Sequence, residues 1–177
     1  MEAIYQHLTL PELQTLLPEL RARVRVEPRA VISSGQLALC ISGDPFVTTM
    51  LLGRPGQAAS RFSASLQRFL HSPRARGWRR GLVPLTGYYL REPGRGSARR
   101  IHVRPPGDRP ILAAAAFRTL ELDGSGCYDV CFLLTRDDRP VRIEEPWSWL
   151  GGHRSRTSLP GQSVSASSLP GLQPRWP

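Results

Sequence analysis

Turn-forming residues punctuate this chain about every ten residues, so its elements must be short. Sixteen Gly and seventeen Pro fall within 177 residues. Proline fixes φ and removes a backbone donor, which stops a helix and keeps a strand at an edge. No heptad repeat survives such punctuation, which excludes a coiled coil. Hydrophobic residues make up 40% of the chain, enough to pack a core, which excludes a wholly disordered protein.

Between the breakers two periodicities alternate. Residues 9–23 set Leu10, Leu13, Leu16, Leu17 and Leu20 at helical spacing, with Thr9 as N-cap and Pro11 in the first turn. Pro18 should end that helix. Residues 21–26 alternate Arg with Ala22, Val24 and Val26, the period of a strand. Residues 30–42 read as two strands about Ser34 and Gly35, and 46–52 as a β-branched strand. Residues 60–70 read as a helix with Phe62, Leu66, Phe69 and Leu70 inward. After a basic, breaker-rich loop at 71–80, the segments 81–92, 99–105, 109–122 and 128–136 continue the series of apolar runs and turns.

This order predicts an α+β, mainly β domain over residues 1–150, a barrel or sheet with short peripheral helices. From residue 151 the composition turns to Gly, Ser and Pro, with Ser-Leu-Pro-Gly at 158–161 and again at 168–171. Residues 151–177 cannot bury enough apolar area to offset their ordering entropy. They read as an extended or disordered C-terminal tail, with Trp176 available to dock.

Basic residues number 24 against 14 acidic ones, a net charge of +10, and every basic residue is Arg. A GC-rich genome favours Arg over Lys, which accounts for the missing Lys. The sign of the charge is physical in either case and attracts polyanions.

Cys40, Cys127 and Cys131 are too few for a disulfide framework. Cys127 and Cys131 lie four apart on one strand and read as core positions on one face. No spacing of His and Cys suits a metal, and no Gly-rich phosphate loop or nucleophile elbow occurs, so no metal or small-molecule cofactor is expected. The pair Asp137-Asp138 reads as a turn with local Arg pairing rather than as an acid/base pair. No apolar run reaches the length of a membrane span, and the first residues lack a basic n-region. The expectation is a cytoplasmic protein with no membrane partner.

The basic loop carries more information. Arg74, Arg76, Arg79 and Arg80 surround Trp78 and lead into Tyr88, Tyr89 and Arg91. Further Arg follow at 95, 99, 100 and 104. Guanidinium groups contact phosphates, and exposed rings stack on unpaired bases. A solvated basic face beside core aromatics would have the same composition.

Residues 79–91, RRGLVPLTGYYLR, resemble the arginine-rich segment of the SOS-response-associated peptidase (SRAP) family, roughly R-R-C-L-V/I-P-A-D-G-F/Y-Y-E-W. Arg79, Arg80, Leu82, Val83, Pro84, Gly87, Tyr88 and Tyr89 match that pattern. Other segments follow in order: 25–31, 50–56 and 61–67 upstream, and 110–118, 129–135 and 144–150 downstream. The resemblance covers residues 1–150. It implies a mainly β fold with a positively charged channel for single-stranded DNA. It also implies a Cys at position 2, whose amine and thiol cross-link the aldehyde of an abasic site, and which is proposed to serve autoproteolysis. An Asn, a Glu and a His complete that site.

The chain departs from the family at each of those places. Position 2 is Glu2, the Asn position reads Ser63, and the Glu position reads Leu90. The His-bearing loop shortens to residues 136–140, without His. A Glu at position 2 cannot close a thiazolidine, and its bulk disfavours removal of Met1. The expectation is a divergent, SRAP-like pseudoenzyme of DNA damage that binds single-stranded or abasic-site DNA. Arg79, Arg80 and Arg91 would contact phosphates and Trp78 would stack on a base, while Tyr88 and Tyr89 divide between core and groove. Two other classes stay open. One is a protein-interaction or regulatory module, with a protein partner in a phage or mobile-element setting. The other is a thiol-independent enzyme using Glu2, Glu92 or Asp137-Asp138.

Overall fold

The computed structural model of the protein describes residues 1–54, 62–92, 99–121 and 126–151. Arg95, His153, Trp176 and nearly all of the expected tail lie outside the described residues. The chain begins with β1 (Ala3–Gln6), α1 (Leu10–Leu16), β2 (Arg21–Ala22) and β3 (Arg29–Ser33). It continues through β4 (Leu37–Ile41), β5 (Phe46–Leu52), β6 (Ser63–Ser65) and α2 (Leu66–His71). Then follow β7 (Arg79–Leu85), β8 (Gly87–Glu92), β9 (Arg99–Val103) and β10 (Ile111–Glu121). β11 (Cys127–Arg136), β12 (Arg139–Pro140) and α3 (Pro146–Trp149) complete the described strands and α-helices, and single 3-10 turns occupy Pro73–Ala75 and Pro106–Asp108. The expected α+β, mainly β class is what the structure shows.

The strands form two sheets. In the larger, β11, β10, β7, β4 and β5 pair in that order, and β5 pairs back onto β11 through Val130–Leu51 and Cys131–Leu52. Five strands thereby close into a barrel. β10 explains how it is filled. Its alternate residues Ala113, Ala115 and Phe117 face the cluster that holds Cys40, Met50, Val83 and Leu133. The intervening Leu112, Ala114 and Ala116 lie under α1, α2 and Trp149 on the outside. A strand covered on both faces reads as one continuous apolar run, as residues 110–117 do.

The smaller sheet has the order β3-β1-β8-β9. Ile4 and Ile32 of its inner face join the barrel cluster. Gln6 is fully buried and staples the two sheets together. Its Nε2 donates to the carbonyls of Leu39 and Pro84, each at 2.9 Å, and its Oε1 accepts from the Leu39 N–H at 2.9 Å. A buried amide with all of these partners fixes how the sheets meet.

The helix boundaries follow local chemistry. Thr9 and Glu12 form a reciprocal capping box, which holds the Glu12 carboxyl below its usual range through the Thr9 backbone N–H and hydroxyl. Leu17 closes the helix just before Pro18. Asp137 and Asp138 take positive φ of 50° and 59° between the paired residues Arg136 and Arg139. That is the conformation of a two-residue hairpin turn, which Asp tolerates better than most residues.

Three local expectations change. The strand expected over 21–26 shrinks to Arg21–Ala22, because pairing with β5 ends there and Val24 and Val26 pack against the second apolar cluster instead. The helix expected over 60–70 starts only at Leu66. Ser63–Ser65 pair with β11, and the Ser65 hydroxyl caps the helix by accepting from the Arg68 N–H. Cys127 is exposed at the start of β11, whereas Cys131 is buried and meets Cys40 at 3.4 Å between sulfurs.

Candidate nucleic-acid interface

Successive strand residues point to opposite faces, and this divides the arginine-rich segment. Arg79 shares the barrel-interior face of β7 with Val83 and Leu85, at the end of the barrel. Its guanidinium lies 4.5 Å over the Phe117 ring and 3.8 Å from the Asp129 carboxylate, with its side chain 62% exposed. Arg80 takes the outer face, lies 4.9 Å over the Trp149 ring and donates to the Trp149 carbonyl. The Trp149 indole in turn donates to the Gly81 carbonyl at 2.8 Å. Arg80 therefore ties α3 to β7.

Trp78 precedes this strand and meets Phe132 edge-on at 5.4 Å. Both line a groove of about 490 Å³ between α2 and the barrel wall, with Phe69, Ala116 and Arg68. Arg118 lies 5.0 Å over the Trp78 ring. Tyr88 is buried on the inner face of the small sheet, and burial raises its phenol above the ordinary value.

Tyr89 and Arg91 fall on the outer face of the small sheet, and the register brings partners to them. Tyr89 pairs with His102, and Arg91 with Arg100. The Tyr89 and His102 rings stack at 4.6 Å with a 16° interplanar angle. The Arg100 guanidinium sits 4.0 Å over Tyr89. On the other side, Tyr5 meets His102 edge-on at 5.6 Å and stacks with His7 at 6.1 Å. One sheet face thus carries a continuous row: Arg100, Tyr89, His102, Tyr5 and His7. Gly87 makes room for it, since a Cβ there would stand 2.6 Å from His102 Nε2. Stacked on one another, with His102 and Arg100 both against Tyr89, these rings present mainly their edges, and the guanidinium groups of Arg91 and Arg100 stand beside them at positions suited to phosphates.

Glu2 closes one end of this face. Its backbone N–H donates to the Tyr89 carbonyl at 2.9 Å. Continuing the Ala3–Tyr89 register sets Glu2 opposite Leu90. Its carboxylate stands 3.7 Å from Arg91 Nε and 3.8 Å from Arg100 Nε. Ser63 belongs to the other sheet, on β6 beside Leu133. Met1 packs against the barrel cluster. Beside β6, a groove of about 380 Å³ opens between α2 and the β11–β12 turn, lined by Ser65, His71, Thr135 and Asp137. Among the described residues, no group of three or more His, Cys, Asp or Glu could hold a metal ion, and no helix is long and apolar enough to cross a membrane.

Sequence reasoning did not single out Tyr5, His7 or His102 for this face, and it counted Arg100 only as one more cation. The signal was present in the alternation of residues 99–103 and 87–91. Only the pairing of β8 with β9 and β1 shows which alternate residues meet.

No protein-family model and no curated protein matches the chain. Solved structures do. A protein from Bacteroides thetaiotaomicron superposes with a TM-score of 0.69 at 12% identity, over 88% of this chain and 83% of that one. A protein from Bordetella bronchiseptica gives 0.64 at 13% identity, over 85% and 88%. A phage-related protein from the same organism gives 0.60 at 24% identity, over 86% and 83%. At these identities the likeness establishes the fold, and the chain shares its mainly β architecture with all three.

Proposed function

We propose that this protein is a divergent SRAP-like protein that binds single-stranded or abasic-site DNA without joining to it covalently. The observation that carries the reading is the row of Arg100, Tyr89, His102, Tyr5 and His7 on one sheet face. A base entering this row exchanges a ring–ring or Arg100–Tyr89 contact for stacking on the same ring, and each base–ring stack contributes about 1–3 kcal/mol before that exchange. Arg91 and Arg100 flank the row at phosphate-contact positions. Arg79, 62% exposed at the end of the barrel, is the further cation available to a longer strand.

Glu2 supports the non-covalent half of the reading. Capture of an aldehyde as a thiazolidine needs an amine and a β-thiol on the same residue, and a carboxylate supplies neither bond to sulfur nor ring closure. Leu90, where the resemblance expects an acid, has no ionisable group, and Ser63 stands where it expects an amide. The phage-related fold neighbour fits the phage or mobile-element setting of the alternative reading, a protein-interaction module on the same fold.

The test is binding of a labelled oligothymidylate by the full chain across a salt series. The reading expects binding that weakens with salt, and a Tyr89→Ala, His102→Ala chain that binds at least tenfold more weakly. Equal affinity of this variant and the unchanged protein would overturn the assignment to this face.

A further inference from the structure

The two guanidinium groups beside Tyr89 converge on a single anion, and that anion belongs to the protein. Glu2 stands 3.7 Å from Arg91 and 3.8 Å from Arg100, while its side chain remains 36% exposed. Arg91 and Arg100 face each other across β8 and β9, so neither has to move for both to reach one point. Arg100 also lies 4.0 Å over the Tyr89 ring, a contact that helps hold its guanidinium in place.

We propose that Arg91 and Arg100 form a phosphate site whose resting occupant is the Glu2 carboxylate, so that residue 2 competes with an incoming polyanion. A phosphate oxygen has the charge and acceptor geometry that a carboxylate oxygen offers here. The pairs are long and solvent-exposed, so each is weak and readily exchanged. Displacement swings Glu2 outward without breaking β1, because the Glu2 backbone N–H bond to Tyr89 is independent of the side chain. A DNA phosphate entering this site sets the attached base beside Tyr89 and His102. That last step rests on the DNA reading; the anion site itself does not.

The experiment uses the full chain, Glu2→Gln, and Glu19→Gln as a control that removes the same charge from an exposed position elsewhere. The first probe is inorganic tripolyphosphate at low salt. Glu2→Gln should bind it about three- to tenfold more tightly than the unchanged protein, and Glu19→Gln less than about twofold. Equal effects of the two variants, or no gain in Glu2→Gln, would overturn the proposal. The second probe is oligothymidylate. Gain on tripolyphosphate with no binding of oligothymidylate by any chain would uphold the anion site and overturn the DNA reading. Oligothymidylate binding by the unchanged protein with no gain in Glu2→Gln on either probe would do the reverse.

Discussion

Arg79 and Arg80 are adjacent in sequence and lie over different rings, Arg79 at 4.5 Å over Phe117 and Arg80 at 4.9 Å over Trp149. One borders the barrel interior and the other fastens α3 to its outer wall. The most recognisable dipeptide in the chain therefore combines an exposed cation with a structural one. Replacing each separately distinguishes them. Arg80→Ala removes a hydrogen bond and a cation–π contact and should lower unfolding free energy by about 1–2 kcal/mol. Arg79→Ala removes an exposed ion pair and a cation–π contact to Phe117 and should cost less, about 0.5–1 kcal/mol. Urea unfolding of both variants checks this, and the reverse order of the two would contradict it.

Gln6 makes a sharper stability prediction. Gln6→Leu leaves the Leu39 N–H without its acceptor and the Leu39 and Pro84 carbonyls without this donor, all between packed sheets. Unsatisfied buried groups cost about 1–3 kcal/mol each, so a loss of at least about 2 kcal/mol is expected despite the added apolar volume. Denaturant midpoints measure it. A variant as stable as the parent would show that Gln6 is not the staple between the sheets.

The three thiols should separate by reactivity. Cys127 is exposed, while Cys40 and Cys131 are buried against each other. The Cys131 contact and burial push the Cys40 thiol well above its ordinary value of 9.0. A disulfide reagent should modify one thiol rapidly in the native protein and all three in denaturant. The sign for stability follows. A thiol held neutral in the fold favours the folded state below pH 9.0, and this contribution falls as pH rises past that value, where the unfolded thiol ionises. Substituting Ala at Cys40 should flatten this alkaline loss.

Gly87→Ala tests the geometry of the sheet face. The added Cβ would meet His102 Nε2 at 2.6 Å and the Val103 carbonyl at 3.1 Å, so β9 must shift. The expected outcomes are a loss of about 1–3 kcal/mol in stability and weaker oligothymidylate binding. A change in neither would show that the ring row tolerates displacement.

Much of the fold was legible in the sequence because strand and helix periods differ. Residues 46–52 and 128–136 show β-branched and apolar runs, and Thr9 with Pro11 marks a helix start. The short pairings of Arg21–Ala22 and Ser63–Ser65 were not legible. Both depend on parallel partners distant in sequence, β5 and β11, and leave no local pattern. The site was legible in part for the same reason. Tyr89 and Arg91 stand out in the segment 79–91, but His102, Arg100 and Tyr5 join them only through register. Cys127 was misplaced because sharing a strand face with Cys131 does not imply sharing its depth.

The central claim is non-covalent DNA binding at the small sheet's outer face. One abasic-site oligonucleotide, run with the protein on a native gel and then on a denaturing gel, tests it most directly. The account predicts a shifted band on the native gel that weakens as salt rises, with a slope shallower by about 0.7 for each phosphate contact removed at Arg91 or Arg100. It predicts free DNA on the denaturing gel. A cross-link that survives denaturation, or no shifted band at low salt, would contradict it.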